Sequence, residues 1–221
     1  MKCALVTTAG ALLNFTYGPL IDAADFVIRV GQGPVKGFEN HVGSKTNVRV
    51  MSESLFQKYR NINLSNVAML SDVADIVLLL TKVTSYSLRF KSMIKHATVL
   101  HIKPPPFVCN IKNPTSGLRA LYISFSVLGC ESTRVFGIED ISNAKYHYFS
   151  DGRQDRSDNT YAHLWYTDRK RRGYHDFERE HTLIKKMSIN STIHYKHFKC
   201  IEVDYYQAAR CGNGKKERDG V

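Results

Sequence analysis

The sequence predicts an α/β fold in which a mostly parallel central sheet is flanked by helices. Short apolar runs rich in Val, Ile and Leu recur along the chain and alternate with segments of helical periodicity. These runs lack a strict alternation of apolar and polar residues, which is typical of strands buried on both faces. With 221 residues, 43% of them hydrophobic, the chain suits one domain with a full core.

The same patterns predict where the individual elements lie. The predicted strands are Cys3–Thr8, Asp25–Val30, Asn47–Met51, Val67–Leu70, Ile76–Thr81, Thr98–Ile102, Arg134–Ile138 and Thr192–Phe198. The predicted helices are Glu53–Arg60, Ser85–Lys95, Ser116–Gly129 and Phe177–Met187. The third helix has the clearest start signal, because Thr115 or Ser116 follows Pro114 and can cap its first turn. We expect one folded unit over residues 1–211 and a polar, frayed tail over residues 212–221.

Charge is the unusual feature of the composition. The chain has 31 Lys and Arg residues against 20 Asp and Glu, a formal net charge of +11. Such a surface favours anionic partners, which include nucleic acid, acidic lipid and substrates that carry phosphate or carboxylate. Only the charge points to nucleic acid, since the aromatic and basic signatures of the common RNA- and DNA-binding folds are absent from the sequence.

The sequence contains neither an apolar run of roughly 18–20 residues that could cross a bilayer nor a signal peptide at its start. We therefore expect either a soluble protein or one whose membrane anchor lies outside this chain. The five cysteines form no C-x-x-C pair, and His175 and His181 lack the i, i+4 spacing of a helical metal site. We expect no bound metal, whereas one or two disulfides remain open if the compartment is oxidising.

Two turns could hold an anionic ligand. Residues 7–10 (Thr-Thr-Ala-Gly) follow the first strand, where backbone amides could face a phosphate or a ribose. Residues 113–117 (Asn-Pro-Thr-Ser-Gly) begin a helix and combine exposed amides, two hydroxyl groups and a glycine. Each turn also has an ordinary interpretation, the first as a plain connection and the second as a helix cap.

Two histidine-containing segments could carry proton chemistry. His147 lies between Tyr146 and Tyr148, where a hydrogen-bonded core histidine is the alternative to a functional one. His175 precedes the last predicted helix, and an imidazole there could accept a hydroxyl proton near neutral pH. A solvated helix start is the alternative for that segment.

Taken in order, these segments resemble the sialylmotifs of animal-type sialyltransferases. The large motif is matched by six segments in chain order: CALV to Gly10, YGPLID, DFVIR, GPVKGFE, HVGSKT and R-x-M-x-E-S. The small motif is matched by NPTSGL together with the later LGC and VFG. The segment YHYF is similar to the third motif, and His175-x4-Glu180 is similar to the very small motif. The resemblance extends over roughly residues 3–190. The runs YHYFSDGRQ and GYHDFEREHTLIKKM look most like the branch that sialylates the 6-hydroxyl of GalNAc.

This resemblance implies a fold, a reaction and a location. Members of the family have a single GT-A-like catalytic domain, here residues 1–211, and transfer sialic acid from CMP-sialic acid to a glycan hydroxyl with inversion. They need no metal ion or other cofactor. The implied partners are the nucleotide-sugar donor and a glycoprotein or glycolipid acceptor, with no nucleic acid. The implied location is the Golgi lumen.

The resemblance also implies roles for individual residues. His175 would be the general base, His147 would hydrogen-bond the departing phosphate, and Glu180 would support the site. Cys3 and Cys130 stand where family members join the large and small motifs by a disulfide. The residues implied to contact CMP-sialic acid are Thr8, Gly31, Gln32, Thr115, Ser116, Gly117 and Tyr148.

The chain departs from the family pattern at two of these positions. The large motif usually carries two asparagines that contact the nucleotide sugar, and Thr8 and Gly31 replace them here. Gln32 offers an amide, but adjacent residues on a strand point to opposite faces. The departure keeps two alternatives open: an altered donor, and a relative that binds CMP or glycans without turnover.

Overall fold

The computed structural model describes residues 1–52, 76–80, 98–102, 107–108, 110–138, 144–149 and 175–194. We number the elements of this part in chain order. The strands are β1 (Lys2–Val6), β2 (Phe26–Val30), β3 (Val48–Ser52), β4 (Ile76–Leu80), β5 (Thr98–Ile102), β6 (Phe107–Val108), β7 (Ile111–Lys112), β8 (Ser132–Phe136) and β9 (Thr192–His194). The helices are α1 (Gly18–Asp22), α2 (Glu39–Val42), α3 (Ser116–Ser126) and α4 (Phe177–Met187), with a 3-10 turn at Gly10–Asn14.

The central sheet confirms the predicted α/β class. Within the described part it has seven strands in the order β5-β4-β3-β2-β1-β8-β9. All neighbours from β5 to β8 are parallel, and β9 alone runs antiparallel, at the edge next to β8. Four of the five residues of β1 are buried, as expected for a strand covered on both faces. The carboxyl ends of β1, β2, β3 and β8 therefore meet at one edge of the sheet, where parallel α/β proteins build their sites.

Most predicted elements in the described part are observed, with shifts at their ends. The predicted strand Arg134–Ile138 is observed as Ser132–Phe136, because Thr133 is buried and hydrogen-bonded to Ser124, and Gly137 adopts a positive φ of 88° that turns the chain. The helix predicted to run to Gly129 ends at Ser126, and Gly129 adopts a left-handed φ of 68°.

The remaining differences are a strand observed over fewer residues than predicted, short elements that were not predicted, and predictions that fall outside the described residues. The last strand covers Thr192–His194 of the predicted Thr192–Phe198, whose remainder is not described. Helices α1 and α2 and the β6–β7 hairpin were not predicted, because elements of two to five residues carry no periodicity to read. The predicted elements Val67–Leu70, Glu53–Arg60 and Ser85–Lys95 and the tail 212–221 lie outside the described residues.

Two apolar layers cover the sheet. One contains Leu5, Ile28, the buried side of α3 and Ile184 of α4. The other contains Val27, Ile21 of α1, Val42 of α2 and the aromatic pair at residues 148–149. Helices thus pack on both faces of a parallel sheet, and the chemistry-bearing turns are left at its edge.

A disulfide ties the first strand to the segment after α3. Cys3 and Cys130 are bonded, with Cα atoms 6.0 Å apart and a sequence separation of 127 residues. Both cysteines are buried in the layer that contains α3. The pairing that the resemblance implied is confirmed.

No helix in the described part of the chain has the length and apolar composition needed to cross a bilayer.

Candidate functional site

A cavity of about 330 Å³ opens at the carboxyl edge of the sheet. Its walls come from the turn after β1, the turn after β2, the end of β3 at Ser52, and Gly137 after β8. The first turn of α3, the segment around His147 and the start of α4 complete it. Of the residues that the sequence singled out for a site, Thr8, Gly31, Gln32, Thr115, Ser116, Gly117, His147, His175 and Glu180 all line this cavity.

The amino end of α3 lies in the cavity wall and is held by two hydrogen-bond systems. The Thr115 hydroxyl caps the helix by accepting from the Leu118 amide at 3.2 Å. Both polar groups of Thr115 also donate to Glu180: the backbone amide to Oε1 at 2.8 Å and the hydroxyl to Oε2 at 2.5 Å. The α3 start is therefore fixed by α4, although the two helices are separated by some 50 residues of chain.

Glu180 is a buried acid, only 5% exposed. Burial raises the pKa of its carboxyl group to about 7, against the opposing effect of the two Thr115 hydrogen bonds, and Asp176 adds to the rise. The carboxyl group therefore changes charge near neutral pH, beside the helix terminus where an anionic ligand would be placed. The sequence indicated Glu180 only as a supporting residue, since burial cannot be read from a charged helix start.

His175 is positioned by the chain that precedes α3. Its Nδ1 lies 2.7 Å from the carbonyl oxygen of Asn113, a residue held in the left-handed conformation at a φ of 53°. A carbonyl can only accept, so Nδ1 carries the proton and, in the neutral ring, Nε2 is the basic nitrogen. Asp176 caps α4 by accepting from the Arg179 amide, which fixes the backbone next to His175. This arrangement gives His175 the tautomer that a general base needs.

His147 lies against the turn that follows β1. Its Nδ1 faces the carbonyl oxygen of Thr8 at 3.3 Å, and its ring stacks on Phe149 at a centroid distance of 5.3 Å. The Thr8 carbonyl also accepts from the Tyr148 amide at 3.1 Å. The same reasoning places a proton on Nδ1, so His147 can donate from Nε2 to a bound anion only as the imidazolium.

Gly31 and Gln32 both line the cavity, which corrects the argument that adjacent strand residues must diverge. β2 ends at Val30, so the two residues lie in a turn and not on a strand. Gly31 has a φ of 69°, a conformation that explains why glycine stands at this position.

Tyr148 is not part of the cavity lining. Its hydroxyl donates to the carbonyl oxygen of Pro34 at 2.7 Å, and its ring packs edge-on against Phe38. Burial raises the pKa of its hydroxyl to about 12. The structure thus places this residue beneath the loop that follows β2.

Sequence reasoning did not place three polar residues that also line the cavity: Ser52, Lys145 and His181. His181 donates from Nε2 to the Ile138 carbonyl, so it links α4 to the segment after β8. Lys145 is brought to the cavity by a close backbone approach, in which its carbonyl accepts from the Gly10 amide at 3.0 Å. No group of three or more His, Cys, Asp or Glu side chains in the described residues is arranged to hold a metal ion.

Comparison with known proteins finds similarity chiefly to sialyltransferases. The family "Glycosyltransferase family 29 (sialyltransferase)" matches residues 1–103. A CMP-N-acetylneuraminate-beta-galactosamide-alpha-2,3-sialyltransferase 1 of Mus musculus is 28% identical over 163 residues, which cover 67% of this chain and 48% of that protein. A beta-galactoside alpha-2,6-sialyltransferase 2 of Bos taurus is 45% identical over 53 residues, covering 24% and 11%. A beta-1,6-galactosyltransferase of Arabidopsis thaliana is 27% identical over 180 residues, covering 67% and 45%.

The fold agrees with these matches. A crystal structure of a mammalian sialyltransferase superimposes with a TM-score of 0.52 at 22% identity, covering 83% of this chain and 64% of that one. The chain spans about half the length of the first curated relatives that it matches. Its parallel sheet, its Cys3–Cys130 disulfide and the motif segments that meet in its cavity agree with the sequence matches. Residues 1–103 match the family of sialyltransferases, glycosyltransferase family 29, and the chain is similar in sequence to named sialyltransferases over 67% of its length.

Proposed function

We propose that this chain forms the catalytic part of a sialyltransferase, which transfers sialic acid from CMP-sialic acid to a glycan hydroxyl with inversion. The observation that carries the proposal is the arrangement of His175. Its Nδ1 is tied to the Asn113 carbonyl at 2.7 Å, and its ring lines the cavity that also contains the amino end of α3. A base and an anion-binding helix terminus in one cavity are what direct displacement of a nucleotide requires.

In the proposed reaction the acceptor hydroxyl attacks the anomeric carbon of sialic acid. A new C–O bond forms there as the bond to the phosphate oxygen breaks, and CMP leaves with the bonding electrons. The hydroxyl proton passes to Nε2 of His175. A positioned base contributes on the order of 10²–10⁴ in rate. No metal ion or other cofactor enters this scheme, in keeping with the family resemblance.

The leaving group is stabilised by charge and by dipoles in this proposal. The first turn of α3, which carries Thr115, Ser116 and Gly117, lies at the positive end of a helix of 11 residues. The amides of Ser116 and Gly117 are the donors proposed for the phosphate, because the Thr115 amide already donates to Glu180. His147, as the imidazolium, donates from Nε2 to the departing phosphate. The net charge of +11 favours approach of an anionic donor and of sialylated acceptors.

For the acceptor we retain the sequence-based proposal, the 6-hydroxyl of GalNAc on a glycoprotein or glycolipid in the Golgi lumen. The names of the relatives include both alpha-2,3 and alpha-2,6 linkages, so the acceptor must be tested directly.

The test is CMP release from CMP-sialic acid against a panel of glycan acceptors that end in galactose or GalNAc. We expect turnover with at least one acceptor and a loss of at least about 10²-fold in kcat for His175→Ala, with little change in CMP affinity. His194→Ala is the matched control, because His194 is exposed on β9 and away from the cavity lining. CMP binding without turnover on any acceptor would leave only the role of a binding relative.

A second candidate function is transfer from a different nucleotide sugar. Thr8 and Gly31 stand where the family pattern has two asparagines, and both line the cavity. One similar protein is named a beta-1,6-galactosyltransferase, so at least one relative of this chain has another sugar in its name. A donor panel that includes UDP-galactose separates this candidate from sialyl transfer.

A further inference from the structure

A buried arginine lies beneath the loop of residues 31–34, two of whose residues line the cavity. Arg49 of β3 is fully buried. Its Nη1 donates to the carbonyl oxygens of Gly31 at 2.8 Å and Gly33 at 3.1 Å. Burying a guanidinium costs free energy unless its N–H groups are hydrogen-bonded. Two of the acceptors of Arg49 are carbonyls of one short loop, so the arginine holds that loop in place.

Tyr148 holds the same loop from its other end. Its hydroxyl donates to the Pro34 carbonyl at 2.7 Å, and a Cβ atom on Gly33 would lie 2.3 Å from that hydroxyl oxygen. Glycine at position 33 thus permits the contact. The next residue towards the amino terminus, His147, lines the cavity, so Tyr148 connects the loop to the segment proposed to hold the leaving phosphate.

Because the peptide unit is planar, the contacts of the Gly31 carbonyl also fix the direction of the Gln32 N–H. In a trans peptide the carbonyl of residue 31 and the amide N–H of residue 32 point in opposite directions. No cis peptide bond occurs in the described residues. Because the Gly31 carbonyl faces Arg49, the Gln32 N–H faces away from it, and in the described part of the chain no hydrogen bond occupies that amide.

We propose that Arg49 and Tyr148 are positioning residues, which clamp the 31–34 loop so that the Gln32 amide faces the cavity and donates to an oxygen of the bound nucleotide. The inference rests on the proposed function for the identity of that ligand. The clamp supplies a backbone donor on the β2 side of the cavity, where the chain has Gly31 in place of an asparagine side chain.

A second buried arginine provides a matched comparison. Arg29 lies beside Arg49 in the register of β2 and β3 and is 2% exposed. It also donates to a loop: Nη1 to Val42 at 2.8 Å and Nε to the Thr46 hydroxyl at 2.7 Å. Residues 42–46 are not part of the cavity lining. Thr46→Val therefore removes one hydrogen bond to a buried arginine without touching the proposed clamp.

The experiment compares Tyr148→Phe, Arg49→Lys, Arg49→Met and Thr46→Val in the full 221-residue chain. CMP affinity is measured by calorimetry, stability by thermal melting, and exchange of the amides of residues 31–33 by hydrogen–deuterium mass spectrometry. We expect Tyr148→Phe to weaken CMP binding about tenfold, the loss expected for one hydrogen bond to a charged ligand, and to speed exchange in the loop. Arg49→Met should weaken binding further, and Arg49→Lys should restore part of it.

Thr46→Val should lower the melting temperature about as much as Tyr148→Phe does, because each removes one hydrogen bond. Its CMP affinity should stay within about twofold of the wild type. Equal affinities for Tyr148→Phe and Thr46→Val, or unchanged loop exchange in Tyr148→Phe, would overturn the inference. If Arg49→Met does not fold, Tyr148→Phe and Arg49→Lys decide it. A wild-type chain that binds no CMP would overturn the proposed function and the nucleotide part of this inference, while the exchange data would still decide whether the clamp exists.

Discussion

Replacing Glu180 by Gln should remove a pH dependence of stability that the wild-type protein has near neutrality. Burial raises the pKa of this carboxyl group to about 7, from an ordinary value of 4.5. Between these two values the folded protein holds a proton that the unfolded chain has lost. The free energy of unfolding therefore falls as the pH rises through this window. The stabilisation is fully present below about pH 4.5 and is lost above about pH 7.

The magnitude follows from the width of that window. Each pH unit in which the two states differ by one proton corresponds to about 1.4 kcal/mol, so the contribution is about 3 kcal/mol. The two hydrogen bonds from Thr115 favour the charged form, and the value near 7 is the balance left after they act. Glutamine has nearly the same shape and no charge to lose, so its variant should lack this slope.

Urea unfolding between about pH 5 and about pH 8 tests this expectation on the wild type and on Glu180→Gln. The difference between their free energies of unfolding should change by about 3 kcal/mol across the range, in favour of the wild type at acidic pH. Glu178→Gln serves as the control, because it removes a carboxylate of the same helix turn that is exposed to solvent. Parallel pH profiles for the wild type and Glu180→Gln would refute the argument.

Three further expectations concern other residues of the structure. His147→Ala should weaken CMP binding and slow the chemical step, since its proposed partner is the phosphate; unchanged affinity and rate would return His147 to a structural role. Reduction of the Cys3–Cys130 bond should cost up to about 4–5 kcal/mol by chain entropy, measured by melting with and without reductant, and two free thiols found in the untreated protein by mass spectrometry would contradict it. Thr8→Asn with Gly31→Asn should tighten CMP-sialic acid binding by one decade or more, which is feasible because asparagine tolerates the φ of 69° better than other side chains; no gain would mean that these positions are not the weak point.

Local signals in the sequence were sufficient for the long elements. The helix Phe177–Met187 is observed with the predicted bounds, because Asp176 caps it and its apolar residues recur at helical spacing. Strands β1 to β5 in the described part follow the predicted apolar runs, and β1 to β3 are buried along most of their length, as expected for central strands. The family motifs also gave the disulfide pairing, which spacing alone leaves open.

The tertiary structure decided what these residues do beside one another. Only the fold shows that Glu180 reaches Thr115, because hydrogen bonds between residues 65 positions apart leave no trace in local pattern. Only the fold shows that Tyr148 supports the 31–34 loop and does not line the cavity, since its burial depends on α2 and β2 together. Sequence patterns record the period of a strand or a helix, whereas a site at the carboxyl edge of a parallel sheet is formed where separate turns meet, and that meeting is set by strand order and packing.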